Sequence, residues 1–153
     1  MKKILLILIF TIIQIHAIDA NKIIGNWNTI TKTQDNGLVT IEKEYLNISP
    51  NNNFNIVLLV SVQKDQAYIK DLRIEAYGTW DVRDNTLVLV VSRVNVPQVQ
   101  DIQQISQESL NNLAANFKAK YEDNPIHIFK VKFLNDSSLT IINKKYREVS
   151  YSR

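Results

Sequence analysis

A chain of 153 residues, 45% hydrophobic and 22% charged, has room for one ordinary domain with a substantial core but not for two. It has no cysteine, which excludes a disulfide scaffold, a zinc–thiolate site, an iron–sulfur cluster and a thiol nucleophile. The formal net charge of +3 includes Lys2 and Lys3. The remaining charges are spread along the chain, so no nucleic-acid partner is expected.

The first twenty residues read as a targeting segment. Lys2 and Lys3 precede an apolar run from Ile4 to Ile13, interrupted only by Thr11, and Gln14 to Ala17 form a more polar tail. This is the order of regions in a secretory signal. The run is about half the ~20 apolar residues that a membrane span needs. Ala17 and Ala20 both fit as the residue before the cleaved bond. The expected organisation is a signal peptide over residues 1–20 and one domain over 21–153. Removing Lys2 and Lys3 lowers the net charge from +3 to +1 with cleavage after Ala17; losing Asp19 as well, after Ala20, leaves +2. With no cysteine to carry a lipid, no stable membrane anchor is expected. Export without cysteines points to a bacterial periplasm or exterior.

From Lys22 onward the chain reads as short β-segments and polar turns. Ile23, Gly25, Trp27 and Thr29 alternate with Ile24, Asn26, Asn28 and Ile30. Asp35-Asn36-Gly37 is a hairpin signal, because Asn and Gly tolerate positive φ. Leu38 to Ser49 is the next strand, Ser49 to Asn53 a turn, and Phe54 to Gln63 a strand apolar on both faces. In the following segment Leu72, Ile74, Ala76, Gly78 and Trp80 share one face, and Asp71, Arg73, Glu75 and Tyr77 the other. Arg83-Asp84-Asn85 turns the chain into a strand over residues 86–96. Strands are expected again over 126–134, and one or two more over 138–151.

One segment departs from period two. Ile102, Ile105, Leu110, Leu113, Ala114, Phe117 and Tyr121 recur at helical spacing. A helix is therefore expected over about 101–122. Asp101 and Gln104 are placed as a capping box at its start, and Asn124-Pro125 ends it. The expected fold is mainly β: an up-and-down antiparallel barrel of seven or eight strands with one inserted α-helix.

Gly25-Asn26-Trp27 at the first strand resembles the opening Gly-x-Trp of the lipocalin-like family, particularly its small bacterial extracytoplasmic members. Tyr77 to Val82 followed by Asp84 to Leu89 resembles that family's mid-chain segment, and Phe133 to Ile141 with Tyr146-Arg147 resembles its closing hairpin. The resemblance spans most of the domain. It implies a tryptophan, Trp27, plugging the closed end of the barrel, with Arg147 as the late arginine packed over it. The long helix inside the strand series departs from many lipocalins.

Trp27 and Trp80 are expected in the barrel floor and core, with Gly25 and Gly78 allowing close packing beside them. His127 is the only histidine beyond the signal segment, and it shares a strand face with Phe129, Val131 and Phe133. It suits a structural hydrogen bond, contact with the polar end of a ligand, or the work of a general base. No Gly-x-Ser-x-Gly elbow accompanies it. A single histidine without cysteine does not build a typical zinc site, and no Asp-rich calcium loop or nucleotide-binding glycine fingerprint occurs. No metal, cofactor or catalytic residue is therefore expected. The carboxylate pairs Glu42/Glu44 and Asp71/Glu75 are assigned to outward, solvated faces.

The resemblance implies a non-enzymatic periplasmic or secreted protein that binds a small hydrophobic or amphipathic ligand such as a lipid or fatty acid. Phe54, Leu58, Tyr68, Leu72, Ile74, His127, Phe129 and Val131 are the expected lining. The alternative is a filled barrel acting as an envelope assembly factor, inhibitor or chaperone-like partner. Its docking surface would be the helix over 101–122, whose Gln103, Gln104, Gln107, Asn111 and Asn112 form a polar, lightly charged face.

Overall fold

A computed structural model of the chain describes residues 18–97 and 102–153. The expected signal peptide up to residue 17 and the capping residue Asp101 lie outside them. A single turn of helix, α1 (Ala20–Ile23), leads into a series of long antiparallel hairpins. These are β1 (Gly25–Asp35), β2 (Leu38–Ile48), β3 (Asn53–Lys64), β4 (Ala67–Arg83) and β5 (Thr86–Asn95). The turn between β1 and β2 places Asn36 at φ 47 and Gly37 at φ 78. A two-residue hairpin with the strands' own twist needs positive φ at both centres, which is why Asn-Gly stands there. Asp65 and Asp84, at φ 53 and 54, take positive φ at the first position of the turns after β3 and β4.

After β5 come a two-residue strand β6 (Ile102–Gln103), the helix α2 (Gln107–Glu122), and three shorter strands: β7 (Ile126–Leu134), β8 (Ser138–Asn143) and β9 (Glu148–Ser152). Among the described residues the strands pair antiparallel in the order β3-β2-β1-β9-β8-β7-β5-β4, and β3 pairs with β4 to close the ring. The molecule is thus an eight-stranded up-and-down barrel, with β6 added to the upper edge of β4 through Tyr68↔Gln103 and Ile69↔Ile102.

Period-two alternation sets which side chains enter the barrel. On β3, Phe54, Ile56, Leu58 and Val60 are buried; on β4, Leu72, Ile74, Ala76 and Trp80; on β5, Leu87, Leu89 and Val91. Together with Trp27, Leu46, Ile48, Leu139 and Ile141 they form one continuous core. Gly78 is inside this wall where β4 and β5 slip register, and a Cβ there would meet the Val90 carbonyl oxygen at 1.9 Å. Only glycine admits so close a backbone approach.

Trp27 closes one end. It is 1% exposed, and its indole N–H donates to the Ile23 carbonyl of α1 at 2.8 Å. Trp80 lies in the same region, donating to the Ser49 carbonyl at 2.8 Å. The arginine over Trp27 is Arg153, with its guanidinium carbon 4.0 Å from the ring centroid. Its Nη2 donates to the carbonyls of Lys22 and Ile24, and Nη1 to that of Asp136. Arg147, assigned this place from the sequence, is exposed beside the turn between β8 and β9. Strand β9 must still run down the barrel wall from Glu148 before the chain reaches Trp27, so an arginine at its start stands at the wrong level.

The helix starts later than its apolar spacing implied. Ser106 is the N-cap, its side chain accepting from the Ser109 N–H at 3.1 Å. Ile102 and Gln103 are in strand β6, and Gln104 takes positive φ, 53°, which stops helix from extending back to it. Leu110 and Tyr121 of α2 are buried, and Leu113, Ala114 and Phe117 pack against the core. α2 packs against β4 and β5 and delivers the chain to the short strands β7–β9.

Candidate functional site

On β2, Leu46 and Ile48 are buried in the barrel, so every second residue back along that strand faces the same way. Glu44 stands opposite Leu58 of β3, and Glu42 opposite Val60, and both of those partners are fully buried. The two carboxylates therefore point into the barrel, contrary to the solvated assignment made from their charge. The phase of β2 was legible in Leu46 and Ile48. The expectation that charged residues stay in water overrode it.

Three further elements bring polar groups to this level. Tyr151 of β9 is 6% exposed and donates its hydroxyl to Glu44 Oε1 at 2.7 Å. Tyr121, at the end of α2, is 4% exposed and lies close enough to feel the charges of Glu44 and Glu42. Its ring centroid is 5.6 Å from that of His127. His127 stands opposite Leu89, on the inward face of β7, and stacks on Phe129 at 6.3 Å. His127 Nε2 is buried and has no hydrogen-bond partner among the described residues.

The electrostatics follow from burial. Removal from water pushes the Glu44 carboxyl above its usual range, and Glu42 adds to this, while the Tyr151 hydroxyl and Lys120 pull the other way. Tyr151 and Tyr121 are held well above the ordinary phenol range, first by burial and then by the Glu44 charge. His127 is pushed below the usual imidazole range by burial, and next by the positive charges of Lys120 and Lys144. It is accordingly a neutral imidazole at pH 7. Glu44 and His127 both keep part of their surface in solvent, so the cluster is open on one side. Among the described residues no three of the acidic and histidine side chains gather as a metal site.

Of the lining residues expected from the sequence, Phe54, Leu58, Leu72, Ile74 and Val131 are buried in the core, and Phe129 packs against it. Tyr68 does not join them. Ser61 of β3 faces two residues of β4 where the register shifts between Val60 and Val62, and Asp71 takes φ 52. This bulge reverses the phase of β4 above it. Ile69 therefore continues the inward series, and Tyr68 faces outward into a hollow of about 230 Å³ with Val39, Ile41 and Lys70. A second outer hollow of similar size is lined by Asn26, Asn28, Tyr45, Asn47 and Asn55. On the other outward face of β4, Glu75 accepts from Arg73 and from the Tyr77 hydroxyl, and both bonds hold its carboxyl below the usual range.

No family model matches the chain, and no curated protein does.

Proposed function

We propose that this barrel is a non-enzymatic binding protein of lipocalin-like kind, exported to the periplasm or beyond, which holds a small amphipathic molecule. One observation carries the reading: beside the apolar core, Glu44 and Glu42 enter the barrel, with Tyr151, Tyr121 and His127 gathered near Glu44. Drawing a carboxylate partly out of water and leaving a buried imidazole nitrogen unpaired both cost free energy. Closure of an apolar barrel requires neither. Groups retained at such cost among apolar side chains are suited to orienting a ligand's polar end. Affinity would come mainly from the ligand's apolar part, at about 25 cal/mol per Å² removed from water. A fatty acid is the poorer example, since its carboxylate would face Glu44 and Glu42. Binding is favoured over reaction because His127 Nε2 has no hydroxyl partner beside it among the described residues, as a nucleophilic triad would need.

Native mass spectrometry of the exported protein, purified without detergent, tests this. A stoichiometric added mass that vanishes on denaturation is expected. A bare chain that also takes up no added amphiphile would contradict it.

A second reading, docking of an envelope protein, is favoured by the outer wall. Val90 and Ile126 stand opposite each other across β5 and β7, with Ile128 two residues on, and all three are exposed. The exposed Gln107, Asn111 and Asn112 of α2 would extend such a surface. Crosslinking in the cell envelope distinguishes it from the first.

A further inference from the structure

We infer that the polar end of the bound molecule is a protonated amine, received between the Glu44 and Glu42 carboxylates and the rings of Tyr121, Tyr151 and His127. The inference rests on the binding function proposed above and adds the chemical class of the head group.

The geometry selects for positive charge in three ways. Glu42 and Glu44 enter the barrel on the same face of β2, two residues apart, with one hydroxyl donor, that of Tyr151, bound to Glu44. A carboxylate accepts several hydrogen bonds, and Glu44 keeps capacity for an N–H donor. The rings of Tyr121, His127, Phe129 and Tyr151 stand around the same level, and aromatic faces attract ammonium groups. His127 is neutral, and a neutral imidazole has one acceptor nitrogen. With Nε2 as that acceptor, the partnerless atom becomes a third acceptor for an ammonium N–H.

The protein's own cations leave this demand partly unmet. Lys120 lies 5.6 Å from the Tyr121 ring centroid and acts on both Glu44 and His127. Its charge favours the ionised form of Glu44. Lys144 acts on His127 from the turn after β8, but does not figure among the influences on Glu44. An anionic head would have to approach two carboxylates, and a neutral hydroxyl would bring them no opposite charge.

The test is calorimetric titration of the full mature chain with three probes of equal chain length: decylamine, decanol and decanoate. At pH 7.5 decylamine should bind about tenfold or more tightly than decanol, and decanoate more weakly than either. Glu44→Gln should weaken decylamine binding toward the decanol level. The unmodified protein supplies an independent readout should that variant fold poorly. As pH falls from 7.5 to 4.5, decylamine stays charged while Glu44, raised by burial, takes up its proton and His127 moves toward its charged form. Tyr121 and Tyr151, held well above the phenol range, do not titrate there; Glu42, Lys120 and Lys144 are the other charged groups around the cluster. The preference for decylamine should therefore shrink. Equal or tighter binding of decanol or decanoate at pH 7.5 would overturn the amine assignment and leave the binding function standing. Binding of none of the three would remove the binding function itself, and the assignment with it.

Discussion

Arg153 and Arg147 make opposite demands on the fold, although the sequence pattern around Tyr146 favours the second. Arg153 caps the Trp27 indole and ties the carbonyls of Lys22, Ile24 and Asp136 together. Its removal leaves those groups to water and uncovers the ring. Arg153→Ala should cost about 1–3 kcal/mol in urea unfolding, whereas Arg147→Ala, exposed beside its turn, should change stability by less than about 0.5 kcal/mol. Equal effects would place the cap wrongly. Gly78→Ala should be costly too, at the upper end of the about 1–3 kcal/mol typical of overpacking, because its Cβ would be driven into the Val90 carbonyl. Trp27, Trp80 and Gly78 were legible from residue type alone, since few sites accept them. Arg153 was not, because an arginine near a chain end carries no mark of the ring it covers. Glu44 was misread for a different reason: the rule that charge stays outside is an average, and the phase of β2 turns Glu44 inward against it.

At the scale of elements, alternation located nearly every strand, and apolar residues at spacings of three and four located α2. The boundary of α2 depended on one serine. Ser106→Ala should cost about 1 kcal/mol, as losses of a helix N-cap do; no measurable change in thermal unfolding would deny Ser106 that role. The bulge at Asp71 was hidden in the sequence because Lys70 and Asp71 are both polar, and a single inserted residue moved Tyr68 to the outside. α1 bears on processing. Asp19 caps it by accepting from the Asn21 N–H, and the Ile18 N–H donates to the Asp84 carbonyl. Cleavage after Ala17 keeps those contacts, and cleavage after Ala20 destroys them. Under the proposed export, intact mass is expected to show Ile18 as the first residue; a start at Asn21 would mean the cap is dispensable.

For the whole molecule, the barrel is held unevenly. β1 to β4 are long and paired over most of their length, while β1 and β9 share a single register pair, Asn28↔Ser152. The Asn28 side chain reinforces it, donating to the Ser152 carbonyl at 2.9 Å. Eight strands with short turns implied an up-and-down arrangement, but neither this thin seam nor which interior level is polar can be read from periodicity, because both depend on strands distant in sequence meeting at a given height. Glu44 and Tyr151 are 107 residues apart. Their pairing, with His127 and Tyr121 beside it, is the basis for assigning the barrel a ligand.

The most direct test of that assignment is the unfolding free energy of Glu44→Gln against the parent chain as a function of pH. A cluster kept for binding burdens the fold. Because burial raises the Glu44 carboxyl in the folded state, the folded chain holds its proton more tightly, so the parent loses stability as pH rises from the ordinary carboxyl range through the raised value. His127 acts in the opposite sense, its lowered folded value costing stability as pH falls below about 6.5, and this contribution is common to both proteins. The amide oxygen of the substituted glutamine would still accept the Tyr151 hydroxyl. The account predicts that Glu44→Gln is at least as stable as the parent at pH 8, with its relative advantage shrinking toward pH 4. A variant less stable by about 1 kcal/mol or more at pH 8, on the order of a structural hydrogen bond, would show that Glu44 serves the fold and would contradict the assignment.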